Sequence, residues 1–242
     1  MQEKSVSEAI DFRRSVRVYD PEKTIDQKKV KKCIIQATLS PSSSNMQLWE
    51  FHHIISKYEK GKIVKSCFNQ PAAKTAEQIV IVVVRKDLWR KRLDSNVTNI
   101  KSSLSKIENL DPNLKKKSLR YYNKLVPLLY SDFFGLTSFI KKIYTKVVGL
   151  YKPIYREVGS CDLRVVSHKS AALAAQSFMV SMAGIGYDTC PMEGFDSNRI
   201  KKDLDLPSKV EISMVIGCGI RKEEGVYGKS FRIPTNEIYY SR

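Results

Sequence analysis

The stretch Ser40–Phe51, SPSSSNMQLWEF, interrupts a lysine-rich chain with a proline, a run of serines and an asparagine, then enters an apolar segment carrying Trp49. Pro41 ends the helix that precedes it, because its ring removes an N–H donor and pushes the residue before it out of the helical region. Ser42, Ser43, Ser44 and Asn45 bring hydroxyls, an amide and a backbone suited to turns. A strand is expected over Phe51–Ile55. On these residues alone, the turn reads first as a plain helix cap.

Working outward, Val6–Phe12 predicts a short helix with Ser5 or Ser7 as its cap, and Asp26 caps a second running to about Leu39, with Val30, Cys33, Ile34 and Ala37 on one face. Glu59–Cys67 reads as helix. The β-branched run Gln78–Val84, QIVIVVV, is the pattern of a strand buried on both faces. Val165–Ala183 is a long, alanine-rich helix, apolar on most sides, and is expected at the centre of the molecule. A short strand in GIGYDTC, a helix capped by Asp196 or Ser197 and ending before Pro207, and a core strand in VEISMVIGCG complete the chain. Helices and strands mix without regular βαβ alternation, so the expectation is an α+β layer fold. One domain over 1–242 is expected, with a mostly helical insertion at about 86–164 that is rich in Lys, Tyr and Phe. That insertion reads as helices covering the core or as an interfacial membrane helix.

Composition narrows the function classes. The chain has 242 residues and 42% hydrophobic content, enough for a full core. Its first residues, MQEKSVSEAIDF, carry acids and no continuous apolar stretch, so no signal or transit peptide is expected. No run is long enough for a transmembrane helix. Five cysteines without a CxxC pair suit neither a zinc site nor a disulfide framework, and a cytoplasmic setting follows. The formal charge of +17 raises the question of nucleic acid, but the lysines are scattered and interleaved with acids as on solvated helix faces. No specific nucleic-acid partner is expected.

Four short stretches carry the chemistry. In RRSVRVYD, Arg13, Arg14 and Arg17 fall within five residues beside Ser15, although the chain has 29 Lys and only 13 Arg. Guanidinium groups bind phosphate in a bidentate manner where lysine offers a point charge. In an extended segment Arg13, Ser15 and Arg17 point the same way. A phosphate site and a basic surface turn both remain open. The serine-asparagine turn is the second stretch. The third, CPMEGF, ends a strand at Pro191 and continues through Met192, Glu193 and Gly194, where glycine permits close backbone approach. The fourth, YGKSFRIP, holds Arg232. His52 and His53 fall in a strand, and His168 opens the long helix; packing is the expected role of the first two, and a site role for His168 stays open.

In this order the four stretches resemble the FMN-dependent nitroreductase family. Its R-x-S-x-R/K-x-F/Y-D element is matched by Arg13, Ser15, Arg17, Tyr19 and Asp20. Its A-P-S-S-x-N-x-Q-P-W element is matched by Pro41, Ser42, Ser43, Asn45, Gln47 and Trp49, with Ser40 and Leu48 as replacements. Asn69 corresponds to the family asparagine, Pro191, Glu193, Gly194 and Phe195 to its P-x-E-G-F loop, and Arg232 to its C-terminal basic element. The resemblance covers about residues 5–85 and 160–235. It implies a nitroreductase-like mixed sheet flanked by helices, an interlocked homodimer with FMN at the interface, and NAD(P)H as reductant of a small acceptor such as a nitroaromatic or quinone, in ping-pong order through flavin N5. Enone or flavin reduction and oxidative ring chemistry are the alternatives within that fold. A basic binding protein for nucleic acid or an anionic membrane is the alternative outside it.

The resemblance also implies residue roles. Arg13, Ser15, Arg17 and Arg232 hold the phosphate and neighbouring flavin oxygens, with Arg14 adding backbone or ribityl contacts. Pro41, Ser42, Ser43, Asn45 and Gln47 reach the flavin of the other subunit. Asn69, Pro191, Met192, Glu193 and Gly194 complete the cofactor site, with Glu193 acting through its N–H. No side chain serves as catalytic nucleophile and no metal is expected, since the flavin carries the chemistry. Two family lysines are missing: Ala72 and Ser230 stand at their places, with Lys74 and Lys229 close by. In the insertion, Tyr121, Tyr122, Tyr130, Phe133, Phe134 and Phe139 are expected to form a wall for flat acceptors, with Phe133 and Phe134 as substrate-binding residues.

Overall fold

The computed structural model describes residues 3–107, 111–131 and 136–242. Its four strands are β1 (Trp49–Ile54), β2 (Gln78–Val84), β3 (Asp188–Met192) and β4 (Glu211–Gly219), in the order β1-β2-β4-β3. All three pairings are antiparallel. A parallel bridge between Ser15 and Thr189 on the outer edge of β3 makes the sheet mixed.

Every residue of β2 is buried, as its β-branched run predicts. Because side chains alternate along a strand, Ile79, Ile81 and Val83 enter one core and Val80, Val82 and Val84 the other. The first core is closed by Ile63 and Cys67 at α3 (Lys57–Ser66), by Ala72 and Ala73 of α4 (Pro71–Lys74), and by Ile200 of α10 (Ser197–Asp203). The second is closed by α2 (Gln27–Ala37) and by the long α9 (Ser160–Gly184). Ala171, Ala174, Ala175, Phe178 and Met182 of α9 recur at helical spacing and face the sheet, the small residues allowing close approach. The other side of α9 leaves Val165 and Leu173 about half exposed. The helix starts five residues earlier than its alanine-rich pattern indicates, because the Asp162 carboxylate accepts the Gly159 N–H at 2.9 Å.

The short α1 (Val6–Phe12) begins at a reciprocal cap between Ser5 and Glu8, and α2 begins where Asp26 accepts the Lys28 N–H at 2.7 Å. Strand β1 starts at Trp49, two residues before the expected position, since Leu48 and Trp49 are themselves buried. Between β2 and α9 lie α5 (Trp89–Ser105), α6 (Pro112–Arg120), a wide π-turn over Tyr121–Leu125, α7 (Val126–Tyr130) and α8 (Leu136–Val148). Among the described residues, no helix is long and apolar enough to cross a membrane.

Glu211 at the start of β4 ties both ends of this helical excursion together. Its carboxylate accepts from Lys86 at 2.9 Å and His168 at 3.1 Å, and pairs with Arg164. His168, whose second ring nitrogen meets the Ser213 hydroxyl at 3.2 Å, is thus part of a structural clip. His53 packs against Gln78 at 2.7 Å, and burial lowers its pKa. For Glu211, burial pushes the carboxyl up, but the bonds from Lys86, His168 and Arg164 outweigh it and hold the group at about 2 against an ordinary 4.5. A carboxyl depressed on folding contributes stability above its unfolded pKa and loses it as pH falls toward the folded value. Glu211→Gln is therefore expected to lower the thermal midpoint near neutral pH and to flatten its decline across the window from pH 4.5 to about 2. Identical midpoint profiles for the two proteins would show that the clip adds nothing.

Candidate functional site

The arginine segment is placed by the end of α1 and the edge of the sheet. Arg221 forms an ion pair with the buried Asp188 at 2.5 Å and donates to the Phe12 carbonyl at 3.0 Å, which fixes the helix end one residue before Arg13. Arg13 then leaves the helix in an extended conformation. The Val16 N–H donates to Thr189 at 3.2 Å and the Arg17 N–H to Gly225 at 2.7 Å, so the segment runs between β3 and the tail. Val16 and Tyr19 turn into the core, and the Tyr19 hydroxyl donates to the Gly217 carbonyl at 2.8 Å. A Cβ on Gly225 would collide with the Val18 carbonyl, so only glycine lets the tail cross here.

Arg13, Ser15 and Arg17 consequently line one cavity of about 360 Å³, together with Lys229 and Arg232 from the tail. Alternation alone would have sent Arg14 to the opposite side. Instead it lines the same cavity, since it sits where helix gives way to strand and its guanidinium donates to the Gly228 carbonyl at 3.0 Å. Among the described residues, no carboxylate forms an ion pair with Arg13, Arg14, Arg17, Lys229 or Arg232. Five cations converging without a counter-ion, beside the Ser15 hydroxyl, form a donor set suited to a phosphate monoester. Lys229 lies in this cavity and Lys74 does not, while Ala72 forms part of its buried wall.

A second pair of loops meets the cavity through Gln70, which the sequence did not single out. Its amide donates to the Gly194 carbonyl at 2.6 Å and so pins the loop after β3 to the turn at Asn69. Asn69 is exposed, with φ of 54°. Pro191 and Met192 belong to β3, and the Met192 side chain is packed in the core, so its position can offer a ligand only main chain. Glu193 and Gly194 are exposed beside Gln70. The only cue to Gln70 was its place in a polar step between helix and proline.

No residue of the serine-asparagine turn lines the arginine cavity of the same chain. Pro41, Ser43 and Asn45 are exposed. Ser44, Asn45 and Gln47 hold φ values of 52°, 50° and 47°, a left-handed cluster that costs free energy and requires outside support. That support comes from the insertion. Asn96 of α5 accepts from the Asn45 amide at 3.0 Å and donates to its carbonyl at 2.9 Å. Tyr122 donates to the Ser44 carbonyl at 3.2 Å, and the Tyr121 and Ser44 hydroxyls meet at 2.7 Å. The Ser42 hydroxyl accepts the Gln47 N–H at 3.1 Å, and the Ser170 hydroxyl of α9 accepts the Ser43 N–H at 3.3 Å. Beneath Ser43 and Ser44 lies an apolar cavity of about 390 Å³, lined by Tyr121, Leu125, Tyr130, Tyr144 and Tyr155 among others. Burial raises the Tyr130 phenol to about 12. Phe139 points to solvent at 63% exposure, and Phe133 and Phe134 lie outside the described residues.

A model of the Nitroreductase family matches residues 10–220. Among curated relatives, the CLA biosynthesis enone reductase of Lactiplantibacillus plantarum is 30% identical over 220 residues, covering 87% of this chain and 82% of its own. A Bacillus subtilis protein named as an NAD(P)H nitroreductase, MhqN, is 23% identical over 200 residues, covering 83% and 81%. Among solved structures, one named a nitroreductase in complex with FMN, from Exiguobacterium sibiricum, superposes with a TM-score of 0.69 at 22% identity, covering 100% of this chain and 99% of its own.

The bonds from Asn96 generate a test independent of any ligand. Asn96→Ala removes three hydrogen bonds from a buried amide, two of them to the strained residue Asn45. The expected cost is about 1–3 kcal/mol in chemical denaturation. An unchanged denaturation midpoint would mean that the turn is held without the insertion.

Proposed function

The chain belongs to the nitroreductase family, and we infer from its arginine cavity that it is an NAD(P)H-dependent oxidoreductase carrying FMN. The observation that carries this reading is the convergence of Arg13, Arg14, Arg17, Lys229 and Arg232 around one cavity with no carboxylate partner among the described residues. Such a site holds a dianionic phosphate and gives little purchase to an uncharged ligand. When bound, FMN would supply the redox chemistry that links NAD(P)H to an acceptor.

The chain's own residues bind, orient and enclose. Arg13, Ser15, Arg17 and Arg232 anchor the phosphate, and Lys229 rather than Lys74 adds the further cation. Asn69 and the main chain of Pro191, Met192, Glu193 and Gly194 border the ring, with Gln70 holding those two loops in register. Pro41, Ser42, Ser43, Asn45 and Gln47 serve the site of a second copy. What supports a homodimer is that this strained turn stands exposed and apart from its own chain's arginine cavity. The tail beyond it also extends with Phe231, Ile233, Ile238, Tyr239 and Tyr240 each more than half exposed.

The acceptor is a small apolar or aromatic molecule, received by the cavity beside Ser43 and Ser44 under the insertion. Flat rings stack favourably among its tyrosines. Nitroaromatics and quinones have that shape. The similarity to an enone reductase makes activated alkenes the second class to assay.

Arg17→Ala is expected to weaken FMN binding by about 10- to 100-fold, equivalent to roughly 1.5–3 kcal/mol, in a flavin fluorescence titration. Riboflavin should bind the native protein weakly and the variant no worse. Equal losses for both ligands would place Arg17 away from the phosphate. Lys229→Ala should weaken FMN binding while Lys74→Ala leaves it intact; the reverse outcome would exchange the two roles.

A further inference from the structure

Helix α8 is built inside out. Its buried positions are the polar Ser138 and Thr145, at 7% and 6% exposure. Leu136, Phe139, Ile140, Ile143, Tyr144 and Val147 are each half exposed or more. At roughly 100° per residue these six side chains fill one continuous arc of about 140°. Leu150 and Tyr151 extend the surface past the helix end at 76% and 84% exposure. The inner face is fastened by polar bonds. The Ser138 hydroxyl accepts the Ser160 N–H at 3.1 Å, and the Lys141 ammonium donates to the carbonyls of Leu128 and Ser131 at 2.9 and 2.8 Å. The orientation of the helix is therefore specified, and its apolar face is turned outward by design of the contacts behind it. Contiguous exposed apolar surface of this kind marks an interaction site.

Charge says what covers it. Residues 86–164 contain 17 Lys and Arg against 7 Asp and Glu, a net +10 out of the chain's +17 in about a third of its length. Lys142 and Lys146 stand exposed along one side of the apolar arc, Lys142 within 3.8 Å of Asp162, while on the other side the Lys141 ammonium is held by the carbonyls behind the helix. Were this face to meet itself across a two-fold, its lysines would be opposed, and the cores of protein interfaces are depleted in lysine. A bilayer with anionic headgroups accepts both features at once, apolar side chains at the acyl boundary and lysines at the phosphates.

We propose that α8, with Leu150 and Tyr151, docks the protein in the plane of an anionic lipid surface. Tyr144 belongs both to this face and to the cavity beside Ser43 and Ser44, so docking turns the mouth of that cavity toward the lipid. This inference rests on the surface of α8 and stands whether or not the redox reading holds.

The test is flotation of the full-length protein with vesicles of phosphatidylcholine alone or mixed with phosphatidylglycerol, at low and high salt. Binding to the anionic vesicles is expected to exceed that to the neutral ones by at least about tenfold and to weaken with salt. The triple variant Ile140→Ser, Ile143→Ser, Val147→Ser, altered only at exposed positions, should lose about tenfold in partitioning while retaining its flavin. Ile143→Trp gives a direct readout that does not depend on that variant folding: its indole emission should shift to the blue on adding anionic vesicles. The proposal is overturned if anionic vesicles are not preferred, if the triple variant binds as the native protein does, or if the indole emission stays fixed. It is equally overturned if the triple variant changes the oligomer in sedimentation and no vesicle binding is seen, which would assign the face to a second copy.

Discussion

The burial of all seven residues of β2 is the constraint on which the rest depends. A strand with no solvent face needs a layer on each side and a neighbour on each edge, since its backbone groups cannot be left without partners in the interior. β1 and β4 supply the edges, α3, α4 and α10 one layer, and α2 and α9 the other. β4 in turn carries β3, and β3 presents Thr189 to Ser15 and Val16. The arginine cavity is thus built on the far edge of a sheet whose centre is fixed by hydrophobic burial. Main-chain register places Ser15 and Arg17 there, and among the described residues no carboxylate pairs with the cavity's cations, which leaves their charge available to a ligand.

Much of this was legible in the sequence where one physical signal dominated. The run Gln78–Val84 has no polar alternation after Gln78, so it reads as a buried strand and is one. Arg13, Arg14 and Arg17 stand out because arginine is scarce in this chain, and the cavity gathers all three with Arg232. Boundaries were less legible where a side chain far along the chain sets them. The earlier start of α9 depends on one carboxylate reaching back three residues. The choice between Lys74 and Lys229 depends on how the tail folds over Gly225, a packing relation with no local pattern. Gln70 was missed for the same reason, its partner Gly194 being 124 residues away.

The helices between β2 and α9 show where periodicity is silent. The apolar stripe of α8 is indistinguishable in sequence from one that faces a core, and only the bonds of Ser138 and Lys141 reveal that it faces outward. The same segment does a second job, since Asn96, Tyr121 and Tyr122 hold the left-handed turn at Ser44, Asn45 and Gln47. A turn kept in a costly conformation, supported from behind and exposed in front, is one whose front face is meant to meet something. In one chain that face meets nothing of the arginine cavity, which supports the proposal that a second subunit completes the site.

Mixed dimers test that claim most directly. One subunit carries Arg17→Ala and the other Asn45→Gly, a replacement that tolerates the left-handed backbone, and FMN is titrated into the purified hybrid. If each site takes its arginines from one subunit and its turn from the other, both lesions fall in one site. The hybrid should then bind one FMN per dimer with native affinity, although each parent homodimer binds weakly at both sites. A hybrid that binds weakly throughout would place arginines and turn in the same chain's site and contradict the account.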